Sequence, residues 1–162
     1  MAGLISRILV NLDGSEESMT AAEYAVLLSS ATGAELLAAY IINTRALTDL
    51  VRSRIFLETE QQEYTRDLES DADRYLNHMA KTAEQKNVRV TLLKRSGSVH
   101  QELAKLVDEE HIDLLVLGEL ARVRSRRDEF YDEAERAMRG AKCSVLIVKD
   151  ALRVEEQFYE KE

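Results

Sequence analysis

The sequence predicts an α/β domain: a parallel β-sheet covered by helices on both faces. Three observations carry this. Five short apolar runs alternate with longer amphipathic stretches, the runs are nearly continuous in Val, Ile and Leu, and 162 residues suit one ordinary domain. Consecutive parallel strands need crossover connections, and right-handed crossovers place the helices on the sheet faces.

Ile5 to Leu12 is rich in branched residues and stops at Asp13-Gly14-Ser15, so it reads as a buried strand ending in a turn. Ser15 is placed to cap a helix, with Glu16 and Glu17 in the first turn, where the helix dipole favours acids. That helix runs to about Ala31 with Ala21, Ala22, Ala25 and Leu28 at three- and four-residue spacing, and Thr32-Gly33 ends it. Leu36 to Ile42 is the second strand. From about Thr48 to Asn87 the chain reads as charged helix, with a break or loop near residues 52–57. Tyr64, Leu68, Ala72, Tyr75, Met79 and Ala83 form its one apolar stripe, read as core contact first and a partner surface second.

Val88 to Leu93 is the third strand. Ser98-Val99-His100-Gln101 has capping-box form and starts a helix through Glu110. Ile112 to Leu117 is the fourth strand, ending at Gly118. Residues 128–139 form a helix supported by the i,i+4 pairs Asp132–Arg136 and Glu135–Arg139, and Val145 to Val148 is the fifth strand. The domain is placed at residues 1–149. The tail, 150–162, carries Leu152, Val154, Phe158 and Tyr159 among acids and either docks as a short helix or frays.

Composition narrows the function. With 22 basic and 30 acidic side chains the net charge is −8, which disfavours nucleic acid and anionic lipid as partners. No apolar run approaches the ~20 residues of a membrane span. One Cys allows neither an internal disulfide nor a multi-thiolate metal site, and a cytoplasmic location is expected. The six glycines are too scattered for a dinucleotide fingerprint or a P-loop. His78, His100 and His111 lack metal-ligand spacing and read as helix-surface residues; Cys143 opens an apolar strand and reads as core. No serine sits in a G-x-S-x-G elbow, so hydrolase chemistry lacks its usual mark.

Several segments occur together in order: Arg7-Ile8-Leu9-Val10-Asn11-Leu12-Asp13-Gly14-Ser15-Glu16-Glu17-Ser18, Ala31-Thr32-Gly33-Ala34-Glu35-Leu36, Leu115-Val116-Leu117-Gly118, and residues 139–148. Through them the chain resembles the universal stress protein family over most of residues 4–149. The resemblance implies a five-stranded parallel sheet in the order 3-2-1-4-5 and a homodimer built on the last strand. It also implies a site for ATP between strands one and four, with Asp13 beside the adenosine and the backbone of Ile41 at the base.

The family's phosphate loop has the form G-x-x-G-x(9)-G-[ST]. In this chain Gly118 keeps the first position, Ala121 stands at the second glycine, Tyr131 at the third, and Asp132 replaces the hydroxyl residue. Asp132 and Glu119 set negative charge where phosphate oxygens would lie. The resemblance is therefore to the branch that lacks the glycine motif. Opposing this, Arg122, Arg124, Arg126 and Arg127 crowd the same loop; they either clamp an anion through bidentate guanidinium bonds or pair with local acids such as Asp128.

The expectation is a non-catalytic, homodimeric stress-type binding protein with a degenerate nucleotide pocket. A second reading is an ATP- or AMP-loaded switch using the arginine loop. A third is a weak nucleotide hydrolase, for which Asp13 and Asp132 are the candidate carboxylates and no motif places a general base. No resident metal is expected.

Overall fold

In the computed structural model, residues 3–44, 58–120 and 132–160 are described. The strands are β1 (Arg7–Leu12), β2 (Glu35–Asn43), β3 (Val90–Gly97), β4 (Leu114–Gly118) and β5 (Ser144–Val148). The helices among these residues are α1 (Glu16–Thr32), α2 (Glu58–Glu84), α3 (Val99–Glu109), α4 (Asp132–Gly140) and α5 (Ala151–Tyr159). The strands pair in parallel in the order β3-β2-β1-β4-β5, the topology expected.

Strand alternation divides the core in two. Ile8, Val10 and Leu12 of β1 face one layer with Ala21, Ala25 and Val26 of α1, Ala72 and Met79 of α2, and Val154 and Phe158 of α5. Leu9 faces the other, with Leu103 and Leu106 of α3 and Ala137 of α4. The small residues of α1 let that helix lie close on the sheet. Of the α2 stripe, Ala72, Met79 and Ala83 are buried, while Tyr64 is exposed. The stripe is core contact over most of its length.

β3 differs from the sequence expectation at both ends for physical reasons. Val88 donates its N–H to Ala83 O (3.0 Å), so it belongs to the turn that ends α2, and β3 starts at Val90. β3 then runs on through the polar Lys94-Arg95-Ser96 because it keeps register with β2 as far as Asn43↔Gly97 and lies at the sheet edge. The tail folds back as α5 onto α1, burying Val154 and Phe158 in the first core layer. At the amino end of the sheet, Asp113 Oδ2 accepts from Ser6 N (2.9 Å), Ser6 Oγ (2.7 Å) and Arg7 N (3.0 Å), tying the starts of β1 and β4 together.

Candidate functional site: the crevice between β1 and β4

The order in which strands are added reverses at β1, which has β2 on one side and β4 on the other. In open parallel sheets, ligands bind beyond the carboxyl ends of the strands at that reversal. Pairing of β1 with β2 ends at Leu12↔Tyr40, so Ile41 lies one residue past it. Pairing of β1 with β4 covers only Ile8↔Leu114 to Val10↔Val116, so Asn11 and Leu12 lie beyond the last pair. The β1–β4 pairing therefore ends short of the carboxyl end of β1, beside the position that the family resemblance implies for the site.

Asp13 follows β1 directly. Its Oδ1 accepts from Ser15 N (2.8 Å) and from the Ser15 hydroxyl. Ser15 Oγ in turn accepts from Ser18 N (3.1 Å) and caps α1. Half of the Asp13 carboxylate thus builds the turn. Oδ2 makes no hydrogen bond among the described residues and is available to a ligand hydroxyl.

Gly14 has φ +83°, and a Cβ there would lie 2.8 Å from Tyr75 Cε2. Tyr75 stacks on Tyr40 with ring centroids 6.0 Å apart and planes 4° from parallel, and the Arg74 guanidinium lies 5.1 Å from the Tyr75 centroid. Burial pushes the Tyr40 hydroxyl up, and the carboxylates of Asp71 and Asp13 push it the same way. This pair of rings borders the crevice on the α1–α2 side, and the sequence reading did not single it out.

Gly118 has a structural reason to be glycine. A Cβ there would lie 2.6 Å from both C and O of Glu17. The end of β4 is pressed against the first turn of α1, so the one retained glycine of the loop pattern is required by packing. The contact brings the backbone and Cβ of Glu17 beside Gly118, and Glu119 follows Gly118 in sequence. Ala121, Arg122, Arg124, Arg127 and Tyr131 lie outside the described residues, and Asp132 opens α4.

Behind this loop the structure corrects two local expectations. Ser98 occupies the N-cap of α3 without a side-chain capping bond, so the capping box does not form. Glu133 of α4 caps it instead: its Oε2 accepts from His100 N (2.9 Å) and lies 2.7 Å from His100 Nδ1. His100 is therefore a half-buried tie between α3 and α4, not a solvent-facing residue. Ser98 Oγ lies 3.0 Å from the same Nδ1. A serine–histidine–acid relay needs the acid on one ring nitrogen and the serine on the other, so this trio is not one. Among the described residues no cluster of three or more His, Cys, Asp or Glu side chains is arranged to hold a metal ion.

Burial pushes the Glu133 carboxyl up, but the hydrogen bonds from His100 and the charges of His100 and Arg136 outweigh it, and the net pKa is lowered. A lowered carboxyl stabilises the fold above the ordinary glutamate range, and that contribution is lost as pH falls through the lowered value. Glu133→Gln is expected to reduce the melting temperature near neutral pH, with the difference from the parent shrinking on acidification below about pH 4. Thermal melts of both proteins across that range check this.

A model of the universal stress protein family matches residues 5–149. The chain belongs to that family. It is 25% identical over 146 residues to the universal stress protein MJ0531 of Methanocaldococcus jannaschii, covering 90% of this chain and 83% of that one. A universal stress protein solved in complex with cAMP superposes with TM-score 0.62 at 19% identity, over 89% of this chain and 96% of that one. The Arabidopsis thaliana family protein At3g01520, solved with AMP bound, gives TM-score 0.64 at 14% identity over 89% and 91%. These two superpositions agree with the universal stress protein fold. No helix among the described residues is long and apolar enough to cross a membrane.

Proposed function

We propose that this universal stress protein is a non-catalytic regulatory binder of adenine nucleotides whose crevice keeps its nucleoside end and has lost its grip on a triphosphate. The observation that carries the reading is Gly118, whose missing side chain is accounted for by the backbone of Glu17. The second glycine, the third glycine and the hydroxyl of the family loop are replaced by Ala121, Tyr131 and Asp132. Phosphate sites built from backbone amides need bare backbone and a positive field. Here side chains and carboxylates stand in both roles. The nucleoside end keeps Asp13 Oδ2 as an acceptor and the strand end at Ile41. The two superposed relatives were solved with ligands carrying a single phosphate group, cAMP and AMP, which supports the reading.

Titrating AMP and ATP into the same preparation tests this, and AMP is expected to bind at least as tightly as ATP. The four arginines at 122, 124, 126 and 127 favour a second reading, in which their guanidinium groups replace the lost amides and the protein is an ATP-loaded switch. The two readings differ in that titration, because only the switch holds ATP tightly and loses it when Arg124 and Arg127 become Ala. Either reading is compatible with a cytoplasmic homodimer formed on β5, which stands at the sheet edge opposite β3.

A further inference from the structure

Asn11 interrupts an otherwise apolar central strand, Ile8-Leu9-Val10-Asn11-Leu12. Its residue is only 6% exposed, and its Oδ1 is buried with no hydrogen-bond partner. Native structures rarely leave such a group unmatched, because taking an amide from water without a partner costs more than the bond it would make. Replacing it by an apolar residue of similar size would remove that cost. The amide therefore represents hydrogen-bonding capacity that the described part of the protein does not use.

Its register says which strand ends the residue lies beside. Asn11 shares its strand face with Leu9, on the α3–α4 side, and pairs in register with Ala39 on β2. It lies one residue past the last β1–β4 pair, with Ile41 farther along β2 and Leu117 and Gly118 ending β4. Along the strands Asn11 thus lies between the strand end assigned to the base and the glycine at the head of the loop, with its Oδ1 closed to solvent.

We propose that the Asn11 carboxamide is the base-reading group of this crevice, selecting a purine that carries an exocyclic amino group beside a ring-nitrogen acceptor. This deepens the nucleotide-binding reading above and rests on it. A carboxamide presents one acceptor and two donors, so it pairs with the N6 amino group and N7 of adenine through two parallel bonds. On the same edge guanine presents O6 and N7, two acceptors. Either orientation of the amide then sets Oδ1 against a second acceptor. Discrimination arises from an unmatched buried group and not from shape, so it is steep for a small chemical change.

Two measurements on wild type, Asn11→Leu and Asn11→Ala test this. Calorimetric titrations with AMP and with GMP give the preference for adenine, and thermal melts without nucleotide show whether the amide is matched in the free protein. Wild type is expected to prefer AMP. Both variants should lose about tenfold of that preference, mainly through weaker AMP binding. The ligand-free melting temperature of Asn11→Leu should equal or exceed that of wild type. An unchanged AMP-to-GMP ratio in folded variants would overturn the assignment while leaving nucleotide binding standing. So would a ligand-free melting temperature several degrees lower in Asn11→Leu, because the amide would then have a partner within the protein. Wild type binding neither nucleotide would overturn both the assignment and the reading beneath it.

Discussion

Gly118→Ala is expected to lower the melting temperature by roughly 6–12 °C, from a cost of about 3 kcal/mol in a domain of this size. The new methyl carbon would sit 2.6 Å from C and O of Glu17 and 3.0 Å from its Cβ. Backbone on both sides is fixed, by the β4–β5 pair Gly118↔Val148 and by the capped first turn of α1. No flexible side chain can swing aside, so the strand end or the helix must move. The loss should appear in the protein without ligand. A glycine kept only to let phosphate approach would behave differently: the alanine variant would melt like its parent and lose affinity alone. Thermal melts of the two proteins without nucleotide separate these outcomes.

Phe158→Ala is expected to cost about 3–5 kcal/mol, the range for emptying a buried aromatic site, and to lower the melting temperature by on the order of 10 °C. Phe158 is 2% exposed in the core layer between sheet, α1 and α2, and the Lys86 ammonium lies 5.0 Å from its ring centroid. Leu152, on the same helix, is 74% exposed and supplies the control. Leu152→Ala should melt within a degree or two of the parent, as surface substitutions usually do. If the tail frayed instead of docking, the two variants would melt alike. Chemical denaturation of both variants gives the same comparison as a free energy.

The parallel fold was legible because a strand covered on both faces must be apolar at nearly every position. Ile8, Leu9 and Val10 alternate between two different core layers, and each is fully buried. β3 was less legible for the converse reason. As an edge strand it tolerates Lys94 and Arg95, so its polar half was not read as strand. The turn Asp13-Gly14-Ser15 was also legible, since its geometry is local and each residue type has one evident use there.

What escaped was held by contacts distant in sequence. The capping-box pattern at Ser98 was a sound local expectation, but Glu133 took that role from another helix, and nothing near Ser98 announces it. Gly118 read as a remnant of a phosphate loop because the pressure of Glu17 upon it exists only in three dimensions. Asn11 did leave a signal, one polar residue in the middle of a buried strand. It was absorbed into the apolar run because pattern reading averages over neighbours, whereas an unmatched amide matters as a single group.

The proposed function has the crevice hold the nucleoside and not the triphosphate. Calorimetric titration of ATP and AMP into freshly purified, nucleotide-free protein tests it most directly. AMP is expected to bind as tightly as ATP or more tightly, with ATP weaker than about 0.1 mM. Micromolar affinity for ATP, with AMP clearly weaker, would contradict it and point instead to the arginines of residues 122–127 as the phosphate clamp.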